Sequence, residues 1–345
     1  MSFRWASFGL GIALLSSRAL AIGSFDIHLN AGNTLQQHPD ALAAFERAAQ
    51  QWEERISSPI RININADMAT SNSNVIGSTS YGSENLNLDY TLVRNAMAAR
   101  ASRPGDGILA SLPTSAQVTA NVPSTGTFDN TTIGLTRANQ KALGLVANPL
   151  ADTIIDGAIT FNLNFSFDYD RGDSIGSGSM DFETVAAHEI GHVLGFVSDT
   201  DDYDADPTLL DNATTWDLFR FAKNDVPTNP LEFTTKPREM RPGVDAVFSD
   251  TISVFNVSTG AARGDGSQAS HWKDDFYFDK ITNSLTVGPL IGIMDPSLNY
   301  GTIEQITYPD LRVLELIGYD TTVPEPGVVS VIMSSLLLSR RWRKR

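Results

Sequence analysis

Two histidines and a glutamate fall within five residues in Ala187-His188-Glu189-Ile190-Gly191-His192-Val193-Leu194-Gly195-Phe196, and this stretch is equipped for chemistry. On a helix, positions i and i+4 stack on one face, so His188 and His192 can offer ring nitrogens to one ion. Imidazole nitrogens at about 2.0–2.1 Å suit Zn2+, which accepts them in tetrahedral geometry. Glu189 lies one residue from His188 and is therefore rotated off the ligand axis. It is placed to hold water beside the metal without joining the coordination shell. The metal acidifies that water and polarises a scissile carbonyl, while the carboxylate takes the proton and hands it on. The expected chemistry is hydrolysis of a peptide bond.

The flanking residues say how such a site is positioned. Met180, Phe182, Val185, Ala186 and Ala187 lead in, and Val193, Leu194 and Phe196 follow. A helix apolar nearly all round is buried, and buried histidine and glutamate need partners, which a metal supplies. Just ahead, Ile159, Phe161, Leu163, Phe165, Phe167 and Tyr169 alternate with Thr160, Asn162, Asn164, Ser166 and Asp168. Period two predicts a strand. Its place before the motif helix would make it the rim of a cleft, where an extended peptide could pair with it.

Near the start, Phe25–Leu29 reads as a strand. Pro39 opens a helix whose Leu42, Phe45, Ala49, Trp52 and Ile56 share one apolar face. Ile60, Ile62 and Ile64 then alternate with polar residues as a half-buried strand. Tyr90–Arg103 reads as a second helix, whereas Ser115–Thr132 is polar and rich in turn residues. Asp217–Phe221 has the pattern of a short amphipathic helix. At the far end Thr307-x-x-Asp310 is a capping box with Pro309 in the first turn. Leu311, Leu314 and Ile317 follow as an apolar face, and Gly318 is the stop.

At 345 residues the chain has length for one large domain or two, and its 41% apolar and 19% charged residues are those of a soluble globular protein. A formal charge of −15 argues against nucleic-acid binding, because phosphates need a basic surface. With no cysteine, disulfides, a thiolate zinc site and a cysteine nucleophile are all excluded. Residues 1–21 read as a secretory signal: Arg4, an apolar run from Ala6 to Leu15, then Ala19-Leu20-Ala21 as the cleavage site. Val323-Pro324-Glu325-Pro326, the apolar run Gly327–Leu338 and the basic end Arg340–Arg345 form a three-part tail. This tail, residues 324–345, is similar to the PEP-CTERM sorting signal of exported bacterial proteins. The similarity implies transient membrane association and removal by an exosortase-type peptidase. The apolar run of 12 residues is shorter than the roughly 20 that span a bilayer. Both ends together carry seven of the 25 basic residues and one of the 40 acidic ones. The remainder has 18 against 39, a net of −21, which favours a soluble monomer.

A catalytic zinc takes three protein ligands and water, so one ligand is still to be found. No glutamate occurs between Glu189 and Glu232, which disfavours a glutamate ligand on the next helix. Three residues after Gly195 stands Ser198, with Asp199 beside it, and Asp199 could serve if the chain turns after Gly195. His271, in Gly264-Asp265-Gly266-Ser267-Gln268-Ala269-Ser270-His271-Trp272, is the other candidate, and Ile293-Met294-Asp295-Pro296 follows it. The run Asp199, Asp201, Asp202, Asp204, Asp206 and Asp211 could hold Ca2+, but it lacks the spacing of an EF-hand, which favours a solvated loop. Tyr300 and Tyr308 are candidates to assist an oxyanion.

In this order, the helix motif, Ser270-His271-Trp272 and Met294-Asp295-Pro296 resemble the leishmanolysin-like metzincin zinc peptidases. The resemblance covers about residues 180–320 and extends more loosely back to Phe25. In that family a long insertion separates the glycine of the helix motif from the third histidine, and a methionine turn follows. The resemblance therefore implies that His188, His192 and His271 are the metal ligands, Glu189 the general base then acid, and Met294 an apolar floor beneath them. The absence of cysteine departs from cysteine-rich leishmanolysin itself. The expected fold is α+β: a twisted mixed sheet with helices over residues 22–197, and a C-terminal subdomain over 198–323 across an active-site cleft. The expected protein is an exported or cell-surface zinc endopeptidase acting on protein or peptide substrates. The alternative is an exported matrix protein with a structural zinc on the same fold, for which a fourth protein ligand, such as Asp199, would be required.

Overall fold

The computed structural model of the chain describes residues 24–81, 86–279 and 284–322. The expected secretory signal at 1–21 and the expected sorting tail at 324–345 lie outside the described residues. The chain folds as a mixture of helices and mixed sheets, an α+β arrangement.

Strand Asp26–Ala31, helix Pro39–Glu53 and strand Arg61–Ala69 form the first unit. The two strands pair in parallel, Ile27 opposite Ile62, which requires the intervening helix as a crossover. That helix follows from its sequence. Proline occupies its first position, and Ala41, Ala44, Phe45, Ala48, Ala49 and Trp52 recur on the buried face. Phe45 and Trp52 are fully buried, each worth about 1.5–3 kcal/mol relative to exposure. Trp52 also donates its indole N–H to the Ala187 carbonyl at 3.0 Å, joining this helix to the one that carries the motif.

Strand Gly157–Asn162 pairs in parallel with Arg61–Ala69, and strand Gly77–Tyr81 pairs antiparallel with its other side. The order is therefore Asp26–Ala31, Arg61–Ala69, Gly157–Asn162, Gly77–Tyr81. This corrects two sequence expectations. The period-two run from Ile159 to Tyr169 is not one strand; it stops at Asn162 and resumes only at Phe167–Asp168. The Asn162 side-chain amide donates to the carbonyls of Ser73 and Val75, and Phe165 N–H turns back to the Asn162 carbonyl. Nor is this run the rim. Its strand Gly157–Asn162 is enclosed on both sides, and the sheet ends on Gly77–Tyr81.

Past the motif helix the chain weaves back into the first half. Leu210–Thr214 pairs in parallel with Thr127–Gly134, a strand that begins inside the turn-rich stretch, and Arg238–Glu239 pairs with Ala120–Asn121. Two sheets thus draw strands from both sides of the division at residue 197. Asp217–Phe221 is a 3-10 turn, Asp217–Phe219, running into the strand Arg220–Ala222. The helix expected over Tyr90–Arg103 spans Tyr90–Ala98. The closing helix, Tyr308–Ile317, has the expected capping box and ends at Gly318, whose φ of 129° suits glycine. Among the described residues no helix is long and apolar enough to cross a membrane.

Candidate metal centre

The motif lies on helix Phe182–Leu194. Asp181 caps it by accepting the Thr184 N–H at 3.0 Å, and Gly195 ends it with φ of 130°, a region β-carbons avoid. All its residues except His188 are buried, as the apolar flanks require. The helix approaches the sheet so closely that a Cβ on Gly157 would lie 2.7 Å from Val193 Cγ2.

His188, His192 and His271 converge, each Nε2 lying 3.1 Å from the other two. These contacts are not hydrogen bonds. Each Nδ1 faces a backbone carbonyl: His188 that of Ile293 at 2.8 Å, His192 that of Phe196 at 2.7 Å, His271 that of Gln268 at 3.1 Å. A carbonyl only accepts, so every Nδ1 carries the proton and every neutral Nε2 presents a bare lone pair. Three lone pairs pointed at one another repel unless a cation lies among them. A tetrahedral ion with nitrogen ligands at about 2.0–2.1 Å needs them about 3.3–3.4 Å apart, close to what is found. Burial pushes the His188 ring down to about 4. Burial and then its neighbour His188 push His192 to about 3, and His271 is likewise held well below the usual range. The rings are thus neutral and ready to bind metal at pH 7. The donor set fits a borderline divalent ion, zinc among them, and the three histidines form a group that could bind a metal. Among the described residues no further histidine or carboxylate joins this group. His28 and His38, the other two histidines of the chain, are exposed elsewhere.

His271 is delivered by the acidic insertion. Asp201 accepts the N–H groups of Ala269 at 2.6 Å and Ser270 at 3.1 Å, and the Ser270 hydroxyl at 2.6 Å. Asp204 accepts those of Ala262 and Arg263 at 2.6 and 2.7 Å. The acidic run, expected to be a solvated loop or else a calcium site, thus clamps the loop before His271 through Asp201 and Asp204. The carboxylates of Asp201, Asp204, Asp206 and Asp211 accept backbone N–H groups, and among the described residues the run forms no three-ligand group. Ser198 donates its hydroxyl to Asp217 at 2.6 Å, and Asp199 donates its N–H to the same carboxylate at 2.9 Å. Neither joins the histidines.

Met294 is fully buried and passes under the motif helix at Gly191, where a Cβ would overlap its Sδ. One carboxylate unites the turn, the segment after His271 and the closing helix. Asp310 accepts the Trp272 indole N–H at 2.7 Å, the Ile293 N–H at 3.0 Å and the Thr307 N–H at 2.7 Å.

Glu189 is 5% exposed, and burial pushes its carboxyl up to about 7 against the opposing hydrogen bond from Thr79. The Thr79 hydroxyl donates to Oε2 at 2.6 Å. Gly77 lies over the other oxygen, since a Cβ there would stand 2.6 Å from Oε1. Burial, and then the charges of Asp201 and Glu189, push the hydroxyl of Tyr81 on the same strand well up. Gly77, Thr79 and Tyr81 were invisible to sequence reading. Gly-Ser-Thr-Ser-Tyr has no apolar alternation to mark it as a strand, and nothing local ties it to a helix more than a hundred residues on. Tyr300 is half exposed, Tyr308 places its hydroxyl 3.4 Å from that of Ser253, and the hydrogen bonds of the three rings go to neither.

Comparison with protein-family models, with curated proteins and with solved structures finds no match to this chain.

Proposed function

We propose that this protein is an exported zinc-dependent endopeptidase of the leishmanolysin-like metzincin type. His188, His192 and His271 hold the metal, and Glu189 is general base and then acid. The observation that carries the reading is the convergence of three Nε2 lone pairs at 3.1 Å, each fixed by a carbonyl on its Nδ1, one turn of helix around a buried glutamate. Export to the cell surface or beyond is supported by the sequence of the expected secretory signal and by the tail's similarity to a sorting signal.

When bound, zinc supplies Lewis acidity toward the scissile carbonyl and makes water a better acid. The protein residues divide the remaining work. Oε2 of Glu189 is engaged by Thr79, which leaves Oε1 to take the proton of the attacking water and return it to the leaving amine. Burial raises the Glu189 carboxyl above the usual carboxylate range, the direction that helps it hold the proton between the two transfers. The carbonyls of Ile293, Phe196 and Gln268 keep the three rings in the ligating tautomer.

The direct test is metal analysis of the purified chain together with casein hydrolysis. One zinc per chain is expected, with activity abolished by a chelator and restored by zinc. A chain that binds one zinc and hydrolyses neither casein nor smaller peptides would favour a structural site. The edge strand gives a further expectation. Gly77→Ala inserts a methyl group against Oε1 of Glu189 and 3.0 Å from Val185 Cγ1. Displacing the base by a fraction of an ångström to about 1 Å should lower kcat by up to about a hundredfold with zinc content unchanged. Wild-type kcat in this variant would mean that the strand does not position Glu189.

A further inference from the structure

Glu189 is touched at two points by a single side chain. The Thr79 hydroxyl lies 2.6 Å from Oε2 of Glu189 and 3.0 Å from the main-chain carbonyl oxygen of the same residue. A threonine hydroxyl has one hydrogen to donate, so these two acceptors compete for it. While Glu189 is ionised the carboxylate wins, because a bond to a charged acceptor is shorter and stronger than one to a neutral carbonyl. Once Oε1 has taken up a proton, Oε2 is a neutral oxygen and a weaker acceptor. The hydrogen can then turn to the carbonyl by rotation of the O–H bond alone. The hydroxyl thus has an acceptor in either state of Glu189.

The edge strand is arranged for this contact. Gly77 pairs with Phe161 and Thr79 with Ile159, both buried, whereas Ser78 and Ser80 are exposed. Alternation therefore turns Gly77 and Thr79 to the face that meets the motif helix. Gly77 has no side chain to cover Oε1, where a Cβ would stand 2.6 Å away. One atom in contact with both the backbone and the far end of Glu189 restricts the torsions of a flexible side chain. Oε2 stays on Thr79, and Oε1 is left for water.

We propose that Thr79 is a positioning residue: it holds Glu189 in one conformation whether the carboxyl is charged or protonated, so that Oε1 stays aimed at water through both proton transfers. This role rests on Glu189 being the general base and is exerted through Glu189 alone. A valine, which matches threonine in shape and lacks the hydroxyl, would leave Oε2 buried without a donor. A serine would keep the donor.

The test uses the full chain with zinc bound, and zinc is counted on every preparation. Thr79→Val should lower kcat on a peptide substrate about tenfold to a hundredfold, with one zinc per chain and KM within about twofold of wild type. Thr79→Ser should return kcat to within about threefold of wild type. Ser78→Ala, on the opposite face of the same strand, should match wild type. Melting supplies a readout apart from activity. Thr79→Val should lower the melting midpoint more in the wild-type background than beside Glu189→Ala, because groups in contact are not additive and only the first background has a carboxylate to strand. The proposal is overturned if Thr79→Val keeps wild-type kcat or loses zinc, if Thr79→Ser is as slow as Thr79→Val, or if the two melting shifts are equal. A wild-type chain that cleaves no peptide removes the general base and this role with it. An active wild type beside an equally active Thr79→Val overturns this role alone.

Discussion

Glu189→Gln is expected to keep one zinc per chain and to hydrolyse casein about a hundred to ten thousand times more slowly than wild type. The amide is isosteric with the carboxylate, and its carbonyl oxygen can still accept the Thr79 hydroxyl now found 2.6 Å from Oε2. The helix, its cap at Asp181 and the three ring nitrogens are untouched by the change. What is lost is the basicity at Oε1, where the proton of the attacking water must land. Metal analysis and casein turnover on the same preparation check both halves. Turnover within a few-fold of wild type would remove Glu189 from the mechanism, whereas loss of zinc would mean that its side chain supports the metal site and not the proton transfer.

The second large effect is expected at His271. His271→Ala should abolish activity and weaken zinc binding by more than the roughly 10–100-fold typical of losing an outer-shell partner. Two ring nitrogens would remain, those of His188 and His192, too few to hold zinc in the manner of a three-ligand site. The fold should survive, because the neighbouring Trp272 stays anchored through its indole N–H to Asp310 and its backbone N–H to the Met294 carbonyl at 3.0 Å. Circular dichroism and melting of the apo-protein test that. Asp199→Ala is the control. Its carboxylate is not among the histidines, so zinc should stay at one per chain. If Asp199→Ala loses zinc and His271→Ala retains it, the ligand set is wrong and the metzincin reading goes with it.

The parts of the molecule legible in the sequence are those whose determinants lie within one element. The pair His188 and His192 is read from helical spacing, and the helix itself from its apolar flanks. Pro39 and the apolar face through Trp52 announce the first helix, and Thr307, Asp310 and Gly318 delimit the last. Alternation alone was less reliable. From Ile159 it continued past the true end of the strand, because Asn162 spends its side chain on the loop carrying Ser73 and Val75, and period two does not register that cost.

The Asp199–Asp211 run shows the limit from the other side. Composition offers a choice between a solvated loop and a calcium site, and the fold uses Asp201 and Asp204 for neither. They accept backbone N–H groups 58 to 69 residues away and so set the loop that ends in His271. By itself the sequence determined which residues could bind a metal and move a proton, because residue chemistry and helical periodicity are local. Only the tertiary structure decided that His271, and not Asp199, meets the pair, and that Thr79 on an edge strand meets Glu189. Those meetings depend on which distant backbone groups pair and how closely a helix can approach a sheet, and neither leaves a mark in the order of neighbouring residues.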